Sequence, residues 1–224
     1  MNRILLPFLL SAVCLAHGVA DKDKAFLEHS TGAQLIPFVY LGAKHMVTGY
    51  DHLLFLCGVI FFLYRLREVG AYVTLFALGH STTLLFGVLS GTHVNPYLVD
   101  AVIGFSVVYK ALDNMGAFRR IFGFQPNTKA AVLIFGFFHG FGLATKLQEF
   151  AMSRDGLVAN IIAFNVGVEI GQLIALSLIL IAMGFWRRSS GFERHAFAAN
   201  VALMSAGFVL VGYQLAGYAT FLTQ

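Results

Sequence analysis

The sequence predicts an all-α fold: a polytopic transmembrane helix bundle of about six spans that follows a cleaved signal peptide. Of the 224 residues, 58% are hydrophobic and only 12% charged, with a mean hydropathy of +0.77, a balance far from that of a soluble globular domain. Apolar stretches near or above the ~20 residues that cross a bilayer as helix recur along the chain. The excess of basic residues falls in every second loop between them, as alternating crossings require, and in the outer loop "LQEFAMSRDG" the one Arg is offset by two acidic residues. The formal charge of +4 is therefore a matter of topology, and no nucleic-acid partner is expected. The lipid bilayer is the first partner, and the 23 glycines and 23 phenylalanines suit close helix packing and lipid contact.

Residues 1–20 carry Arg3, the apolar run "ILLPFLLSAVCLA" and a small-residue exit ending in Ala20, the pattern of a signal peptide cut after Ala20, with Ala16 as the rival site. Its removal leaves Cys57 as the only cysteine, so no intrachain disulfide is expected. Cys57 reads as a small packed hydrophobe. Residues 21–224 then form a single transmembrane helical domain, with no linker, low-complexity tract or repeat.

The first span falls within residues 33–64, which make 32 positions. That is too many for one straight crossing and too few for two with a turn, so one long or kinked helix is expected. Five further spans are expected at about 69–90, 97–112, 129–147, 157–186 and 197–220. With a secreted start at Asp21, the inner loops contain Arg65 and Arg67, then Arg119, Arg120 and Lys129, then Arg187, Arg188 and Arg194, while "GTHVNP" on the outside has no Lys or Arg. This distribution predicts a multi-pass membrane protein with both mature termini on the outer side.

Ionisable residues interrupt these spans at a common depth. His80 stands about eleven residues into the second, His139 about ten into the fourth and Glu169 about twelve into the fifth, and Asp51 and His52 reach a similar level in the first. At ~100° per residue, His45 and His52 lie only ~20° apart on a helix, whereas Asp51 points ~120° from His45. A common site for all three needs a bend, which Gly49 permits. Asn165, Glu169 and Gln172 follow i, i+4, i+7 spacing and form a polar stripe expected to face the interior.

A single transmembrane histidine is more often a helix-to-helix hydrogen bond than a ligand. The set is harder to dismiss, because a charged, unpaired Glu169 at mid-membrane costs ~3 kcal/mol or more. Imidazoles with carboxylates suit divalent transition metals, whereas calcium and magnesium prefer oxygen shells. Asp100, near the outer end of the third span, reads as an entry carboxylate or an interfacial cap. Lys110 and Asp113, one turn apart, are expected to pair or snorkel. His29, His93 and His195 lie in or beside loops.

"HMVTGYDHLLFL" fits an H-x5-D-H pattern, and "GHSTTLLFG", "VIGFSVVYKALDN", "FGFFHGFGLA" and "FNVGVEIGQ" follow in order. From about residue 34 to the last helix, the chain resembles the HupE/UreJ family of bacterial membrane proteins. That family is associated with nickel and cobalt permeases that accompany hydrogenase and urease genes. The resemblance implies metal uptake and assigns His45, Asp51, His52 and His139 to the metal. The chain departs from the family in "FGLAT", where the best-described permeases have a second histidine and a glutamate, so His80 and Glu169 join the expected set.

The expectation is thus a secondary permease for nickel or cobalt, with metal residues His45, Asp51, His52, His80, His139 and Glu169, supported by Asp100, Asn165 and Gln172. Two other readings stand beside it. One is an intramembrane zinc-dependent hydrolase, the only enzyme reading and the less favoured. The other is a membrane factor that delivers metal to metalloenzyme maturation partners. A homo-oligomer is compatible with each.

Overall fold

The computed structural model describes residues 31–148 and 154–223, and among them every regular element is a helix. The expected signal peptide, with Cys14 and His17, lies outside the described residues, as do His29 and Gln224.

Helices α1 (Leu35–Thr48) and α2 (Tyr50–Ile60) form one crossing broken at Gly49, followed by α3 (Leu66–Ser90), α4 (Pro96–Asn114), the short α5 (Ala117–Phe122), α6 (Thr128–Gln148), α7 (Leu157–Arg187) and α8 (Gly191–Phe221). Four of these, α3, α6, α7 and α8, are each long and apolar enough to cross a membrane. Helix α4 is more polar because it carries Asp100, Lys110 and Asp113, and all three are ion-paired. The long first span expected from sequence is therefore kinked, and the break falls where Asp51 and His45 needed it.

Local chemistry explains the ends. Asn95 caps α4 by accepting from the N–H groups of Tyr97 and Leu98 (3.0 and 3.3 Å), with Pro96 at the first helical position. At its other end α4 is tied inward by Asn114, whose Nδ2 donates to the Gly58 carbonyl and to Asn200 Oδ1, both at 2.9 Å. Arg187, the last residue of α7, donates to the carbonyls of Ile60, Phe61 and Leu63 and so satisfies the end of α2.

Glycines decide how the helices pair, because in lipid the close approach of backbones replaces the hydrophobic drive available in water. A Cβ on Gly167 of α7 would overlap the Val39 carbonyl of α1, and one on Gly171 would lie 2.6 Å from the Ala43 carbonyl oxygen. Residues rise together along both helices, so α1 and α7 are parallel. Gly136 of α6 similarly meets Phe76 of α3, and Gly140 meets His80, again in parallel. Gly104 of α4 meets Leu210 of α8, whereas Gly207 meets Val108, an antiparallel pair. Crossings one and five, two and four, and three and six are the partners, with the relative directions that six alternating crossings demand.

Phe38, Met46, Phe55, Leu56, Phe76, Leu84, Leu147 and Ile161 fill the interior, each 2% exposed or less. On α7, Ile162, Val166, Leu173, Ile174 and Leu178 face outward. An apolar exterior around a core that also holds buried histidines and carboxylates marks a multi-pass membrane protein whose outer solvent is lipid.

Candidate metal centre

The break at Gly49 builds the first wall of the site. Its N–H donates to the His45 carbonyl (2.9 Å) and its carbonyl accepts from Leu53 N–H (3.1 Å), so the chain steps sideways without losing both hydrogen bonds. The backbone there is ordinary for any residue (φ −73°, ψ 102°). Glycine is required by crowding instead: a Cβ would sit 2.7 Å from His52 Nδ1 and 3.2 Å from Asp51 Oδ1.

Two imidazoles are held in a defined tautomer. His139 Nδ1 lies 2.7 Å from the Phe135 carbonyl, which can only accept, so Nδ1 carries the proton and Nε2 keeps its lone pair. His52 Nδ1 lies 3.1 Å from Asp51 Oδ1, and an ionised carboxylate imposes the same choice. The two rings stand 4.9 Å apart. Asp51, His52 and His139, all buried, each offer a ligand atom within 4.8 Å of the others, against the ~3.4 Å between ligand atoms of a tetrahedral centre with ~2.1 Å bonds. The cluster has the composition of a transition-metal site.

His45 borders this cluster, its ring 5.1 Å from that of His52, and its buried Nε2 has no hydrogen-bond partner among the described residues. His80 is fully buried behind it, 6.2 Å from His52; neither ring nitrogen has a partner among the described residues. A small cavity, with room for about one water-sized sphere (about 10 Å³), is lined by His45, Asp51, His52, His139, Asp100 and Lys146.

The HupE/UreJ protein family matches residues 21–221. The chain belongs to the HupE/UreJ family. No curated protein and no solved structure matches it. In this family member, the H-x5-D-H segment and the histidine of "FFHGFG" meet across α1, α2 and α6. Gly140 and Gly142 in that second segment serve packing: a Cβ on Gly140 would overlap the His80 carbonyl, and one on Gly142 would lie 3.1 Å from Ile103.

Glu169 does not join the cluster. It is exposed on α7, with no ion pair or hydrogen bond among the described residues. Neighbouring Gly171 packs on Ala43 and Met46, which flank His45 along α1, so Glu169 stands at the level of the site but points away from it. At ~100° per residue it lies ~40° beyond Asn165, where the buried arc of α7 ends. Asn165 and Gln172 are buried, yet neither lines the cavity. Asn165 Oδ1 and both polar atoms of the Gln172 amide lack partners among the described residues.

Asp100 is neither a cap nor solvent-facing. It is 5% exposed and accepts from Lys146 Nζ at 2.8 and 3.1 Å and from Gln214 Nε2 at 3.3 Å. Lys146 was not expected in the site. The available signal was its spacing, seven residues after His139 and so on the same face of α6. Lys110 and Asp113 pair at 2.6 Å, as expected, and His93 and His195 are exposed.

Proposed function

We propose that this protein is a secondary permease that moves a divalent transition metal, nickel or cobalt, from the periplasm to the cytoplasm across the bacterial inner membrane, with both mature termini periplasmic. The observation that carries the reading is the buried Asp51, His52 and His139 cluster, in which both imidazoles hold Nδ1 in a hydrogen bond and leave a buried Nε2 without a hydrogen-bond partner among the described residues. Membership of a family associated with nickel and cobalt transport supports the metal class. The orientation follows from Arg65, Arg67, Arg119, Arg120 and Arg188, which lie at the ends of the helices assigned to the cytoplasm.

The residues suggest how a cation would travel. An ion entering beside Asp100 exchanges water for the imidazoles in steps, and Asp51 supplies charge while holding the His52 ring. One turn inward of each central histidine stands a phenylalanine: Phe55 after His52, Phe76 before His80 and Phe135 before His139. The rings of Phe55 and Phe76 are 5.5 Å apart, and Phe135 lies 6.0 Å from Phe55. They form an aromatic floor that closes the inner side, so release to the cytoplasm requires these rings to part. The chain has no P-loop motif, which favours a gradient-driven carrier over ATP hydrolysis.

Three protein ligands with an open position are also the arrangement of a catalytic zinc site, which keeps the hydrolase reading alive. Against it, a cavity of about 10 Å³ has no room for a peptide or lipid bond. Purified protein in metal-free liposomes separates the two. A carrier accumulates radiolabelled nickel or cobalt inside, and Asp51→Asn or His52→Ala abolishes it. Tight zinc without net flux would refute the permease.

A further inference from the structure

Lys146 presents a contradiction within this reading: an ammonium group on the wall of a cavity assigned to a divalent cation. Seven residues and about 10.5 Å beyond His139, Lys146 returns to the same face of α6. The Cα–Cβ bonds of a helix tilt toward its N-terminus, which for α6 is the inner end, so the lysine stem runs back toward the histidines. Its Nζ ends against Asp100, with the side chains 15% and 5% exposed, and both residues line the cavity that His45, Asp51, His52 and His139 also line.

Formal charges make the placement informative. Asp51 and Asp100 contribute two negative charges and Lys146 one positive, leaving the wall one charge short of neutralising a divalent ion. With Lys146 turned outward the two carboxylates match that ion. Lys146 stands two residues before the end of α6 at Gln148, close enough to the outer surface for its flexible stem to deliver the ammonium to water.

We propose that Lys146 is a tethered counter-cation: it holds Asp100 while the cavity is empty and surrenders it to an arriving divalent cation, so the Asp100–Lys146 pair is the outer gate of the site. This rests on the metal reading above. The gate lowers resting affinity, which aids release, and makes entry depend on a cation able to outcompete an ammonium group for a carboxylate.

The test is Ni2+ binding to detergent-purified full-length protein by titration calorimetry, with thermal unfolding as the folding control. Lys146→Met is expected to bind ~10-fold more tightly and Asp100→Asn ~10-fold more weakly, while the double variant returns near wild type because the wall charge is restored. Lys146→Arg, which keeps the charge, retains the wild-type affinity. Lys146→Gln carries the same expectation as Lys146→Met and keeps a donor for Asp100, which guards against a Met variant that does not fold. If folded Lys146→Gln binds no more tightly than wild type while Asp51→Asn abolishes binding, the gate is wrong and the metal site stands. If wild-type protein binds no Ni2+, both fall.

Discussion

Replacing Gly49 by alanine tests the geometry of the site without touching a ligand. The added Cβ would lie 2.7 Å from His52 Nδ1, against the ~3.5 Å at which carbon and nitrogen atoms rest in contact. The imidazole must therefore retreat by about 0.8 Å. Its hydrogen bond to Asp51 starts at 3.1 Å, so a shift of that size carries it past the ~3.5 Å limit of a useful hydrogen bond. Loss of a group that orients a metal-binding histidine costs ~10–100-fold in affinity. The backbone at Gly49 (φ −73°, ψ 102°) accommodates alanine, and restricting the unfolded chain returns ~0.4–1 kcal/mol, so stability should stay close to wild type. Equilibrium dialysis against Ni2+ or Co2+, with thermal unfolding in the same detergent, separates the two effects. Wild-type affinity in Gly49→Ala would refute the claim that this break positions His52 and Asp51.

Asp51→Asn keeps size but removes charge and should abolish cellular nickel and cobalt uptake at matched membrane levels, whereas Cys57→Ser, at a half-buried packing position, should not; equal uptake in both would reduce Asp51 to a helix-joining role. Metal affinity should fall as pH drops, because protons and metal compete for the same imidazole lone pairs, and a flat profile in dialysis would point to a carboxylate-only shell. Gly167→Leu should cost at least ~1–3 kcal/mol and deplete folded protein, because its side chain meets the α1 backbone, while Gly184→Leu, with open space around it, should behave as wild type in size-exclusion profiles. Glu169→Gln should leave Ni2+ affinity at the wild-type value, and a large loss would mean that α7 turns Glu169 inward in the binding state. Single cysteines at Thr92 and Arg119 in a Cys57→Ser background should react and stay silent, respectively, toward an impermeant thiol reagent added from the periplasmic side; the reverse pattern would invert the topology.

What the sequence made legible was depth. Counting from the span ends brought His52, His80 and His139 to one level, and the ~120° mismatch between Asp51 and His45 called for the bend found at Gly49. Direction around a helix was less accessible. Glu169 shares its depth with the site but falls just past the edge of the buried arc of α7, and a ~40° difference is too fine for periodicity in a helix with apolar residues on every side. Lys146 was missed for a different reason. A lysine near the end of a span reads as a snorkelling residue, and only the packing of α4 beside α6 brings Asp100 to it. Pairings such as α1 with α7 are likewise set by backbone contact at Gly42, Gly167 and Gly171, which linear spacing does not encode.

X-ray absorption on Ni2+- or Co2+-loaded protein addresses the central claim most directly, because it reads the ligands themselves. The expected spectrum shows at least two imidazole rings with metal–nitrogen distances of ~2.0–2.1 Å alongside oxygen, and the loss of one ring's scattering in His139→Ala. An oxygen-only shell, or a spectrum unchanged by His139→Ala, would contradict it.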